Sequence, residues 1–186
     1  MKHLVLECDG ADVMLFSKEE LAIAASFKLA KRRDEWLCSR TAVKRLAASM
    51  GLEPLRCTVA RPMLLVDGVS SGLYVSLSHS GRYAAAVLAE EPVGIDIEML
   101  RDLDENAAHL YLTESEEAVM RGCALPYRSL HFWCAKEAAF KARSPEFVTL
   151  KQLPLTLIAE RADGLVFDGA TTQRYESYIL AIGTIR

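Results

Sequence analysis

Asp96 and Glu98 stand two residues apart inside the otherwise apolar run Val93-Gly-Ile-Asp-Ile-Glu-Met99. That alternation reads as a strand, and side chains at i and i+2 leave a strand on the same face. Two carboxylates therefore converge on one side, while Val93, Ile95, Ile97 and Met99 point the other way into apolar packing. Asp and Glu are poor strand residues, and neighbouring like charges repel. On a solvent-facing edge such a pair is simply a wet face. In a packed sheet it needs a partner, and a hard cation that takes oxygen ligands is one.

A second stretch bears on that choice. Phe132-Trp-Cys-Ala-Lys-Glu-Ala-Ala-Phe-Lys141 reads as a helix carrying Glu137 and Lys141 one turn apart. At 100° per residue these two share a side with Leu130, Trp133 and Cys134. An exposed i, i+4 Glu–Lys pair contributes only a few tenths of a kcal/mol (~0.2–0.5) and is common. Beside Leu130 and Trp133 the two charges need partners as that face packs. A metal shared with Asp96 and Glu98 suits Glu137, and a phosphate suits Lys141.

Composition narrows the classes. The chain has 186 residues, 51% hydrophobic and 25% charged, which is enough apolar material for a core. A net charge of −3 disfavours a general nucleic-acid binder. No apolar run approaches the ~20 residues of a membrane span, and the N-terminus is charged too early for a secretory signal. The five cysteines, 8, 38, 57, 123 and 134, are odd in number and contain no C-x-x-C. They read as free or buried thiols in a reducing compartment, so the expected location is cytoplasmic.

Periodicity organises the rest. Residues 2–8 read as a strand, and Ser17-Lys-Glu-Glu20 as a capping box opening a helix over about 18–30. Asp34 caps a second helix that ends at Gly51 and carries a basic face from Lys31 to Arg45. Strands are expected over 55–59, 62–66, 74–78, 83–88 and 93–99, with a Gly/Ser turn at 68–72. Thr113-Glu-Ser-Glu116 opens another short helix, and a helix over 129–143 follows. Strands near 153–160, 164–168 and 175–185 complete an α+β chain with no readable internal repeat. In Tyr74-Val-Ser-Leu-Ser-His-Ser-Gly81, serines alternate with apolar residues up to a glycine turn. Their hydroxyls suit local backbone bonding or donation to an anion.

Four of these segments, in this order, resemble the Sfp-type 4′-phosphopantetheinyl transferases. They are Trp36-Leu-Cys-Ser-Arg40, Ser76-Leu-Ser-His-Ser80, Gly94-Ile-Asp-Ile-Glu98 and Trp133-Cys-Ala-Lys-Glu-Ala-Ala-Phe-Lys141. The resemblance implies two similar α+β halves with pseudo-twofold symmetry, 1–90 and 91–186, with coenzyme A in the cleft between them. It implies transfer of 4′-phosphopantetheine from coenzyme A to a serine of an acyl, peptidyl or aryl carrier protein, releasing adenosine 3′,5′-bisphosphate. Asp96, Glu98 and Glu137 would hold Mg²⁺ (or Mn²⁺), with Asp96, Glu137 and Lys141 in the chemistry. Arg40, Thr41, Arg61, Pro62, Ser78, His79 and Lys141 would contact coenzyme A. A monomer is expected, with neither nucleic acid nor membrane as partner. The sequence departs from the family pattern at Ser39, Ala60 and Cys134. It also has Ser144-Pro145 after the lysine, where a helix break is expected. Competing readings are a coenzyme A or carrier-binding module without transfer, and another Mg²⁺-dependent phosphohydrolase or nucleotidyl enzyme using the same acids.

Overall fold

Each half of the chain winds a five-stranded antiparallel sheet around one long helix, and the two halves use one plan. In the computed structural model, which describes residues 1–9 and 12–185, the chain divides into two units, Met1–Pro92 and Val93–Arg186. The first contains β1 (Lys2–Glu7), α1 (Lys18–Ala25), α2 (Ala30–Ala48), β2 (Cys57–Ala60), β3 (Met63–Val66), β4 (Val69–Ser80) and β5 (Tyr83–Ala89). The second contains β6 (Val93–Met99), α3 (Glu114–Gly122), α4 (Arg128–Arg143), β7 (Leu157–Arg161), β8 (Gly164–Phe167), β9 (Ala170–Arg174) and β10 (Tyr178–Thr184). Strand order is β1-β5-β4-β3-β2 in one sheet and β6-β10-β9-β8-β7 in the other. Strand, short helix, long helix and four-stranded meander thus occur twice. The repeat lies in topology and in only a few shared residues, which is why the sequence hides it.

The cores follow from this plan. In the first unit Val43 and Leu46 of α2 pack on Leu64, Leu77 and Leu88 of the sheet. In the second, Phe132 of α4 meets Phe167 edge-on at 5.0 Å, among Leu112, Met120, Leu153 and Leu165. Both short helices begin with the expected capping boxes, Ser17 with Glu20 and Thr113 with Glu116.

Several boundaries differ from the sequence expectation. The helix over 18–30 stops at Ala25, and α2 begins at Ala30 with Leu29 at its N-cap, so Asp34 lies inside the helix and pairs with Arg33. The turn placed at 68–72 is tighter. Asp67 and Gly68 both have positive φ, the two-residue hairpin geometry, and β4 starts directly at Val69. A separate strand, β9, occupies residues that the sequence reading left unassigned. Ser144 ends α4 and does not break it before Lys141. The thiol expectation also needs correction: Cys8 and Cys38 form a disulfide, and only Cys57, Cys123 and Cys134 are free and buried. Counting cysteines cannot see a pairing made by folding β1 against α2. No described helix is long and apolar enough to cross a membrane.

Candidate active site

Glycine brings strand and helix together at the charged face of the second unit. A Cβ on Gly94 would lie 1.9 Å from the Ala138 carbonyl oxygen, and one on Gly183 would lie 2.3 Å from the same atom. The two glycines face each other across the β6–β10 pair. They let α4 lie unusually close to the sheet, with Ala138 over the bare patch. Because side chains alternate, the face of β6 that carries Gly94 also carries Asp96 and Glu98. The close approach therefore points both carboxylates at α4.

Asp96 is almost fully buried, and its Oδ1 accepts from Lys141 Nζ at 2.8 Å. The same ammonium donates to the Ile95 carbonyl at 3.1 Å and lies 4.0 Å from Glu137 Oε2. Glu98 pairs with Arg101 at 3.2 Å. Burial pushes the Glu137 carboxyl above its usual range; Lys141 opposes this, and the charges of Asp96 and Glu98 add to it. Cys134, fully buried on the same side of α4, is pushed well above a normal thiol, chiefly by burial and then by Asp96 and Glu98. It therefore sits there as a neutral thiol. Three carboxylates thus share one electrostatic neighbourhood with one ammonium. As a donor set, three oxygen-bearing acids suit a hard cation, whose charge would relieve their mutual repulsion. They do not form a ready cage, since no group of three His, Cys, Asp or Glu among the described residues is drawn together as metal ligands.

Lys136, inside the Trp133–Lys141 stretch, and Glu116 of α3 are used elsewhere. Lys136 is fully buried and donates to Glu116 Oε1 at 2.7 Å and to the Leu153 carbonyl. Glu116 also accepts from Leu155 N–H at 2.8 Å and closes its capping box onto Thr113 N–H at 2.8 Å. Burial pulls the Lys136 ammonium below its usual range, with Glu116 opposing. This lysine is a structural staple of α4.

In the first unit Arg40 stacks over Trp36 at 3.9 Å. Its pKa falls to about 10, first from burial and then from Arg61 nearby, with Glu20 opposing. Two guanidiniums that disfavour each other's charge are suited to an anion between them. The Thr41 hydroxyl donates to the Leu37 carbonyl at 2.9 Å inside α2, so the helix backbone already takes it up. Arg61 and Pro62 are exposed on the β2–β3 turn, where the Pro62 carbonyl accepts from Val75 N–H at 2.8 Å. On β4, Ser78 is buried, and the neighbouring His79 is exposed with its Nε2 4.0 Å from Glu35. Gly183 and Ala138, which make the close approach, were missed by sequence reasoning. Only a glycine opposite another glycine across a strand pair signals them, and that requires the pairing.

Residues 92–182, which include β6 and α4, match the 4′-phosphopantetheinyl transferase superfamily. That stretch of the chain, most of the second unit, is similar to the superfamily. The chain is also 33% identical over 121 residues to enterobactin synthase component D of Escherichia coli (strain K12). That match covers 60% of this chain and 55% of the relative, so the chain spans little more than half of the curated protein it resembles.

Proposed function

We propose that the chain is a Mg²⁺-dependent 4′-phosphopantetheinyl transferase that loads a carrier protein from coenzyme A. The observation that carries the reading is the coincidence of the superfamily match with the strand and helix that gather Asp96, Glu98, Glu137 and Lys141. In the proposed reaction the carrier serine oxygen attacks the pantetheine-side phosphorus of the pyrophosphate. A new P–O bond forms, the P–O bond to adenosine 3′,5′-bisphosphate breaks, and the serine proton goes to Glu137, directly or through water. A carboxyl raised by burial is the better base near neutral pH. Lys141 balances charge on the transferred phosphate. Asp96, Glu98 and Glu137 would hold Mg²⁺, which supplies charge neutralisation at the pyrophosphate.

The reading assigns nucleotide contacts to the first unit. Arg40 and Arg61 offer paired positive charge, and Ser78 and His79 lie at the β4 end, with Pro62 on the neighbouring turn. Thr41 contributes through its place on α2. A monomer in the cytoplasm, with no nucleic acid or membrane partner, completes the proposal. The test is incubation with coenzyme A, Mg²⁺ and a panel of apo acyl, peptidyl and aryl carriers, followed by intact mass of each carrier. A gain of one phosphopantetheine on the serine is expected. Coenzyme A binding with every carrier left unmodified would contradict transfer.

A further inference from the structure

A cavity of about 700 Å³ in the first unit has two walls that a single covalent bond ties together. One wall is a stripe of α2: Lys31, Glu35 and Cys38, spaced i, i+4 and i+7, all line it. The other is the end of the sheet, where Cys8, His79 and Arg82 line it. Cys8 belongs to that second wall, since its N–H donates to the Arg82 carbonyl at 2.6 Å. The Cys8–Cys38 disulfide, with Cα atoms 5.8 Å apart, therefore joins helix to sheet across the cavity.

Before Cys38 little else does so, whereas beyond it Ala42 and Leu46 pack on the sheet. Residues 30–34 are exposed, α2 has no side-chain N-cap, and the first buried residue is Leu37. Trp36 packs on Phe16 and Phe27. The His79–Glu35 contact at 4.0 Å is long and partly exposed, and such pairs contribute little.

We propose that Cys8–Cys38 is a thiol-exchangeable clasp that sets the width of this cavity and that a low-molecular-weight thiol opens it. Cys8 is the more exposed partner and Cys38 is buried, so the incoming thiolate attacks the Cys8 sulfur. A Cys8 mixed disulfide forms, the Cys8–Cys38 bond breaks, and Cys38 leaves as a thiolate that takes up a proton. A second thiol displaces Cys8 and carries away the first as its own disulfide. The net change is two electrons and two protons from two small thiols to the cysteine pair. Lys31 and Arg82 on the cavity rim are matched by Asp34 and Glu35 there, so access to the Cys8 sulfur, not rim charge, directs the attack. Opening releases the first turns of α2 from the sheet end. The consequence for ligand rests on the transferase reading: as the helix stripe leaves His79, coenzyme A binds more weakly.

The test compares oxidised full-length protein, the dithiothreitol-reduced protein and Cys8→Ser. In the native oxidised protein maleimide should label neither Cys8 nor Cys38; after reduction it should label Cys8. Hydrogen exchange over residues 30–36 should be ~10-fold faster in the reduced protein and in Cys8→Ser, and should slow again when glutathione disulfide re-oxidises the wild type. Labelling of Cys8 in the oxidised protein, or equal exchange in the two redox states, overturns the clasp. The reduced wild type carries this test alone if Cys8→Ser does not fold. Titration calorimetry should show coenzyme A binding about 5-fold or more weaker after reduction. Equal binding in both states overturns the control of ligand affinity. Failure of coenzyme A to bind either state overturns the transferase reading, while the exchange difference still supports the clasp.

Discussion

The two units share one strand order and one buried staple, yet they treat the junction of first strand and long helix in opposite ways. In the first unit Leu4 and Leu6 of β1 pack against the cluster that contains Ala42 and Val43 of α2. In the second, β6 presents Asp96 and Glu98 to a helix that carries Cys134, Glu137 and Lys141. The first unit builds this junction from apolar side chains and the Cys8–Cys38 disulfide, with no carboxylate of β1 buried against α2. Buried charge costs desolvation and is a poor source of stability. The acids and lysine of the second unit are therefore more than this architecture needs, and sites that break the local packing rule are where function concentrates.

The staple is what the units have in common, and it provides the strongest test of their equivalence. Lys44 of α2 is buried and donates to Glu20 at 2.6 Å and to the carbonyls of Pro54 and Cys57 at 2.9 and 2.7 Å. Lys136 repeats this with Glu116 and Leu153. In each case the acid is the capping-box residue of the short helix. Lys44→Ala and Lys136→Ala should each cost about 3–5 kcal/mol in urea unfolding, because each strands a buried carboxylate. A cost below about 1 kcal/mol in one variant alone would break the equivalence.

His131 separates the units next. It is buried in α4 with Nδ1 2.8 Å from the Thr172 hydroxyl, and Nε2 has no hydrogen-bond partner. Burial above all, and then Arg174, pull its pKa down to about 4, with Asp163 opposing. The unfolded chain binds this proton near the ordinary value of 6.5. Unfolded protein thus holds more protons between those values, and stability is lost as pH falls through that window. The loss should reach roughly 3 kcal/mol near pH 4, and His131→Gln should remove much of it from the pH profile of unfolding. The two histidines described in the first unit, His3 and His79, are exposed. If the profile is unchanged in the variant, His131 is not the source.

Gly94→Ala gives a smaller effect with more local meaning. The added methyl meets helix backbone, so α4 must shift, at a cost of about 1–3 kcal/mol. The same shift should separate Asp96 from Lys141, so activity should fall further than stability alone explains. Unchanged stability would mean that the close approach is not required.

How much of this was legible in the sequence depended on the range of the signal. Capping boxes, the α4 boundaries and the shared face of Asp96 and Glu98 are local patterns, and they were readable. Glu116 was readable as a cap, but its second task of holding Lys136 spans 20 residues and was not. Cys8 and Cys38 lie 30 residues apart with no motif to join them. β9 was missed because Ala170–Arg174 alternates buried small or hydroxyl residues with exposed polar ones, a pattern too weak in apolar residues to signal a strand. The repeated topology was expected from the family resemblance and not from the residues themselves, because one unit packs leucines at the junction where the other places charge.

The most direct test of the central claim is carrier modification by wild type, Asp96→Ala and Glu137→Gln, read by intact carrier mass with coenzyme A and Mg²⁺ present. Wild type should load the carrier serine, while both variants keep a cooperative unfolding transition and load none. Wild-type rates in both variants would contradict the assignment of this charged face as the catalytic centre.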